Sequence, residues 1–221
     1  PEIGLPATGA GNISFTAVKN TSAPVMARVT VTPKSAATAY VAAGNARVIV
    51  LNTGSDKEET PILSDNTRAT PYAVAISPDG KWVYVDDQAS INRQDGQISV
   101  INTGTNQVVQ TVYAGNRPSG LVVSPDGKML YGTNSGSYDM SVIDLQGAAP
   151  VKLADVPVGN DPEGIAITPD GKWLYMTNRT TTTNVVVLST ADLQQALVPV
   201  ALGLRSPKSI AVLPDGSKVY V

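Results

Sequence analysis

One five-residue turn recurs through this chain at an almost constant interval. Ser77-Pro78-Asp79-Gly80-Lys81 returns as Ser124-Pro125-Asp126-Gly127-Lys128 and as Thr168-Pro169-Asp170-Gly171-Lys172. Looser copies stand at Thr32-Pro33-Lys34-Ser35 and Leu213-Pro214-Asp215-Gly216-Ser217. The prolines at 33, 78, 125, 169 and 214 are 45, 47, 44 and 45 residues apart. A repeat of that length cannot bury its own apolar residues, so neighbouring copies must stack to form a core.

Each repeat contains four short runs rich in β-branched residues and bounded by turn formers, which predicts four strands. The first two flank the turn, as in Ala73-Val74-Ala75-Ile76 before it and Trp82-Val83-Tyr84-Val85 after it. The third and fourth follow, as in Ile98-Ser99-Val100-Ile101 and Val108-Val109-Gln110-Thr111-Val112. At the turn, Pro78 presets its own φ, Asp79 braces the backbone through its side chain, and Gly80 takes a left-handed angle. Asp79, Asp126, Asp170 and Asp215 therefore read as turn residues and not as catalytic acids. Four antiparallel strands repeated about every 45 residues predict an all-β fold, a β-propeller of four-stranded blades.

The expected division is an N-terminal tail over 1–23 carrying the outer strand of a preceding blade at Ile13 to Val18, blades at 24–70, 71–117, 118–161 and 162–206, and the start of another at 207–221. A propeller closes with about four to eight blades. The expectation is therefore either a piece of a larger ring of about seven blades, or a ring whose terminal pieces meet in a three-stranded fifth blade. Pro1 is no translation start, so processing or excision is expected.

The runs from Pro118 to Tyr131-Gly132-Thr133-Asn134 and from Pro162 to Tyr175-Met176-Thr177-Asn178 resemble the YVTN-repeat β-propellers of bacteria and archaea. The resemblance extends over about Pro24 to Val221. Asp86-Asp87 replaces the Thr-Asn ending in one repeat and Ala42-Ala43 in another. The resemblance implies a fold used by surface-layer and adhesion-like proteins, by periplasmic proteins, and by parts of quinone- or haem-dependent redox enzymes. Fold does not choose among these.

Composition removes many chemistries. The chain has no Cys and no His, so it cannot itself supply a disulfide, a thiolate ligand, a thiol nucleophile or an imidazole base or ligand. The haem d1 propellers and the streptogramin lyases related to this family depend on histidine. Sixteen Lys and Arg against eighteen Asp and Glu provide no basic field for nucleic acid. No run reaches the roughly eighteen apolar residues of a membrane helix. Absence of Cys suits an oxidising space, and an extracellular, cell-surface or periplasmic location is expected.

Candidate site residues fall on loops. The connections from fourth strand to first and from second to third should share one face, where Arg117, Asp161, Arg179 and Arg205 could supply a charged ligand-binding lining. Solvated rim residues are the plainer reading. The insertion from Asp86 to Gln97 carries Asp86, Asp87 and Asp95 as weak candidates for calcium, with Arg93 as a competing charge. Asp161 and Glu163 are too close in sequence to define a glycosidase pair. Trp82 and Trp173 occupy equivalent positions and suit blade packing better than sugar stacking. Asn178-Arg179-Thr180 fits a glycosylation acceptor pattern. The functional expectation is an exported, non-catalytic propeller that binds a protein or glycan partner or builds a surface structure. The alternatives are the propeller part of a quinone- or haem-dependent redox enzyme, or a lactonase-like hydrolase.

Overall fold

The computed structural model describes residues 38–43, 47–55, 57–63, 70–88, 96–179, 184–193, 196–200, 203 and 206–221. All regular structure among them is β-strand. The first sheet contains β1 (Thr38–Ala43), β2 (Arg47–Asn52), β3 (Lys57–Glu58) and β4 (Ile62–Leu63), with β3 and β4 both pairing β2. Pro61, lacking an N–H, falls in the break between those two short pieces.

Three complete antiparallel sheets follow in sequence order. They are β5 (Pro71–Ile76) to β8 (Gln107–Tyr113) through β6 (Trp82–Asp87) and β7 (Gln97–Asn102); β9 (Pro118–Val123) to β12 (Val151–Pro157) through β10 (Met129–Asn134) and β11 (Asp139–Asp144); and β13 (Pro162–Ile167) to β16 (Ala196–Val200) through β14 (Trp173–Asn178) and β15 (Val185–Ser189). A two-stranded sheet of β17 (Ala211–Val212) and β18 (Val219–Tyr220) comes last. These are the second to fifth blades. The segments expected to hold the outer strand at Ile13 to Val18 and the first turn at Thr32 to Ser35 lie outside the described residues.

The repeated turn forms for the reasons its residues suggest. Gly80 N–H donates to Ser77 O, and Gly80 has φ 71°, a left-handed angle that a side chain would strain. The Ser77 hydroxyl donates to Asp79 Oδ1 at 2.6 Å, and the same oxygen accepts Lys81 N–H. Ser124 with Asp126 and Thr168 with Asp170 repeat both bonds. Hydrogen bonds to the ionised form hold all three carboxyls below the usual carboxylate range.

Alternate residues of each strand point to opposite faces, so every blade has two apolar faces and the core lies between blades. Val48, Val50 and Ile62 of the first sheet meet Val83, Val85 and Ile101 of the second. Tyr84, Ile98, Val100 and Val112 on the other face of that sheet meet Leu121, Val123, Leu130 and Ile143 of the third. Tyr131, Met140, Val142 and Val156 then meet Ile165, Leu174, Met176 and Leu188 of the fourth. Each fully buried aliphatic side chain contributes about 1.5–3 kcal/mol.

The first strands of successive blades lie side by side, and polar groups fix their spacing. A Cβ at Gly120 would collide with Glu163 O, and one at Gly164 would collide with Lys208 O. The buried Thr133 hydroxyl donates to Glu163 O at 2.7 Å, and the Thr177 hydroxyl donates to Lys208 O at 3.0 Å. Each threonine thus hooks its blade to the inner strand of the next. Thr133→Val keeps the shape but leaves Glu163 O without this donor. It should cost about 1–3 kcal/mol, read as a lower urea midpoint at unchanged slope, whereas Thr133→Ser should retain most of that stability.

Candidate functional site

Because the first and second strands of a blade are antiparallel, the start of one and the end of the other meet at the same end of the sheet. Pro71 pairs with Asp87, Pro118 with Asn134, and Pro162 with Asn178. The loops entering and leaving those positions are bonded to each other. Ser135 N–H donates to Arg117 O and Gly136 N–H to Asn116 O, both at 2.9 Å, and Arg179 N–H donates to Asp161 O at 3.1 Å. The Ser137 hydroxyl also accepts Asn116 N–H.

Two further features concentrate on this loop face. Five non-glycine residues have positive φ among the described residues, and four of them, Arg117, Tyr138, Asp161 and Ser206, lie here. Such backbone strain persists only where surrounding contacts impose it, and it gathers at ligand sites. The buried side-chain atoms without a hydrogen-bond partner among the described residues are Asp86 Oδ2, Asn134 Oδ1, Asn178 Oδ1 and Arg179 Nε. All four belong to the last residues of a second strand or the residue just after it.

The charged centre of this face is Glu163, only 6% exposed. Its Oε1 accepts Arg179 Nη1–H at 2.8 Å, and its Oε2 accepts the Tyr72 hydroxyl at 3.0 Å. Arg179 Nη1 also lies 3.5 Å from Asp161 Oδ2. Tyr72 belongs to the second blade and Glu163 to the fourth, so the phenol reaches past the inner strand of the third. There the small Ser119 donates its hydroxyl to Pro162 O at 2.7 Å. Partial burial, then the bond to Glu163, raises the Tyr72 pKa above the ordinary phenol value and keeps it a donor.

Of the residues singled out from sequence, Asp161 and Arg179 are brought together by this cluster. Arg117 is exposed on the same face, with no side-chain hydrogen bond or ion pair among the described residues. Arg205 and Asp95 lie outside the described residues. Glu163 as the centre and Tyr72 as its partner were missed. Both directly follow the proline that opens a first strand, a column that reads Tyr72, Ser119, Glu163 and Lys208. Chemical variety in one column of an otherwise conserved-looking repeat was the available signal.

The insertion expected to begin at Asp86 begins after Asp87, because β6 runs through both residues. Asp86 Oδ1 accepts the N–H groups of Tyr72 and Ala73, and Asp87 Oδ1 accepts Thr70 N–H. Among the described residues no group of three His, Cys, Asp or Glu is placed to hold a metal ion. Asn178 is 1% exposed and its amide donates to Val158 O, so it presents no glycosylation acceptor. Trp82 packs beside the core between the second and third blades. It also lines a cleft of about 580 Å³ at the turn end, where Asp79 and Asp126 are already engaged within their turns.

Stacked four-stranded sheets with their loops gathered on one face define a β-propeller. The chain belongs to the family described as "Lactonase, 7-bladed beta-propeller", whose model matches residues 87–214. Antigen Lp49 of Leptospira interrogans is 38% identical over an alignment of 69 residues, with 27% of this chain and 15% of that protein covered. Hydrazine synthase of Kuenenia stuttgartiensis superposes with a TM-score of 0.60 at 27% identity, covering 67% of this chain and 40% of the other. A functionally unknown protein from Desulfotomaculum acetoxidans superposes with a TM-score of 0.69 at 17% identity, covering 82% and 57%, a likeness of fold. The chain thus spans well under two thirds of the length of each of these proteins.

Arg179→Met should leave the Glu163 carboxylate buried beside Tyr72 without its cation. The expected cost is about 1–3 kcal/mol, measured by urea denaturation, and Glu163→Gln in the same chain should recover part of it.

Proposed function

We propose that this chain is an exported binding module of the YVTN-repeat kind. It engages a protein or glycan partner through the loop face around Arg117, Asp161 and Arg179 and performs no catalysis of its own. The carrying observation is that Glu163, the buried acid at the centre of that face, has both oxygens committed, one to Arg179 and one to Tyr72. A general base must bring a lone pair within reach of the proton it takes. Each oxygen of Glu163 keeps a second acceptor site, but the side chain is only 6% exposed and is held by these two partners. The loops are joined by main-chain bonds before any partner arrives, which lowers the ordering cost of binding. Arg117 is exposed on that face, and arginine is enriched in the residues that dominate interfaces. A chain without cysteine suits an oxidising compartment, and likeness to a protein named as an antigen supports exposure at a cell surface.

The family match favours a second reading, lactone hydrolysis. It requires Glu163 to exchange one of its partners for water while Arg179 faces the developing oxyanion. The hydrazine synthase likeness supports a redox role in the same limited way, because histidine or cysteine ligands for a cofactor would have to come from outside this sequence.

Two assays on the same preparation decide between these readings. Acid release from glucono-δ-lactone should stay at the uncatalysed rate. Retention on immobilised envelope glycans and proteins of the source organism should weaken at least tenfold in an Arg117→Ala, Arg179→Ala variant, a loss of about 1.4 kcal/mol. Lactone turnover that disappears in a folded Glu163→Gln variant would replace the binding reading with the hydrolytic one.

A further inference from the structure

Asp86 occupies the repeat position filled by Thr133 in the third blade and Thr177 in the fourth. The Thr177 hydroxyl performs two tasks there. It accepts Gly164 N–H from the inner strand of its own blade at 2.9 Å, and it donates to Lys208 O on the inner strand of the next. Thr133 makes the same donation to Glu163 O. In the second blade the accepting task falls to one oxygen of Asp86, since Oδ1 takes Ala73 N–H at 2.6 Å and Tyr72 N–H at 2.9 Å. The other oxygen, Oδ2, is buried with no hydrogen-bond partner among the described residues, in a residue with no exposed surface. The position equivalent to Glu163 and Lys208 in the following blade is Ser119, so by the pattern of Thr133 with Glu163 O and Thr177 with Lys208 O its carbonyl is the corresponding acceptor at this junction.

We infer that Asp86 is carried as the neutral carboxylic acid, and that its Oδ2–H donates to the Ser119 main-chain carbonyl, joining the second blade to the third as threonine joins the later pairs. An ionised carboxylate has no hydrogen to donate and would set a buried oxygen against a carbonyl oxygen. The substitution also fits the spacing. Gly120 and Gly164 admit the next inner strand so closely that a Cβ would collide with it, whereas the second blade has Ala73 at that position. A Cβ at this position, where Gly120 and Gly164 have none, requires more room before the neighbouring strand, and an aspartic acid side chain reaches one bond farther than a threonine.

The surroundings favour the neutral form. Burial is the leading cause, the Tyr72 and Ala73 N–H groups oppose it, and the neighbouring Asp87 charge reinforces it, with the carboxyl raised to about 7. The first strand of the third blade brings no titratable residue to this junction. On the same strand stands Asp87, on β5 stands Tyr72, and beyond Tyr72 lie Glu163, Arg179 and Asp161.

A pKa raised in the folded state contributes stability that is complete below the ordinary aspartate range and is lost as pH rises to the folded value. Relative to Asp86→Asn, in which the amide oxygen accepts and the amide nitrogen donates at every pH, the folding constant of the unaltered chain should fall by up to tenfold per pH unit between about 4 and about 7, then stay level. Urea titrations of both chains across that range read the ratio directly. A ratio independent of pH would overturn the inference, as would an Asp86→Asn chain that is less stable than the unaltered one at about pH 8. The unaltered chain supplies a second test through the carboxyl carbon resonance of Asp86. Its midpoint should lie near 7, and a midpoint in the ordinary aspartate range would overturn the inference even if the variant failed to fold.

Discussion

A sheet of four short strands with apolar residues on both faces cannot bury either face by itself. That constraint sets the rest of this structure. Each blade must be covered by the next, so the core is a series of layers between sheets and not the interior of any one of them. Ile98, Leu130, Met140, Leu174 and Leu188 are all essentially inaccessible, and each is sealed by contact with a neighbouring blade. A stack of this kind needs its spacing defined at the crowded end, where first strands run side by side. Glycine at 120 and 164 permits the approach and the hydroxyls of Thr133 and Thr177 fix it.

The same arrangement explains why the polar chemistry collects on one face. The hooks lie near the ends of second strands, where the chain turns into a loop and the next first strand begins. Main-chain groups of adjoining blades meet there, Thr177 bonding Gly164 N–H and Lys208 O and Asn178 bonding Val158 O, and Asp86, Asn134, Thr177 and Asn178 are all buried. Once those positions are polar, substitutions in the neighbouring column can build a cluster without disturbing the stack. Tyr72, Glu163 and Arg179 form such a cluster, held by bonds of 2.8 and 3.0 Å. The opposite, turn-bearing end has no such freedom, because Asp79, Asp126 and Asp170 are consumed in closing hairpins.

Much of this was legible in the sequence because a local signal carried it. The Ser-Pro-Asp-Gly-Lys turn names its own geometry, and strands 97–102 and 107–113 extend the expected runs by only a residue or so at either end. The shared face of the two loop classes followed from strand direction alone. Asp86 and Asp87 were harder to place. Two adjacent acids before a polar run suggest a loop, yet the pairing of β6 with β5 and β7 carries both into the sheet. The Asn-Thr-Gly segments at 52 and 102, whose asparagine side chains cap the following turn, also escaped notice.

Repeat length, strand number, turn chemistry and the exclusion of histidine and cysteine chemistry were therefore settled by the sequence itself, because each depends on residues close together in the chain or on composition. Which side chains meet was decided only by tertiary structure. Tyr72 and Glu163 are 91 positions apart, on blades that are not neighbours, and no local pattern relates them. Their contact exists because stacking brings first strands into register and because Ser119, standing between them, is small enough to let the phenol pass.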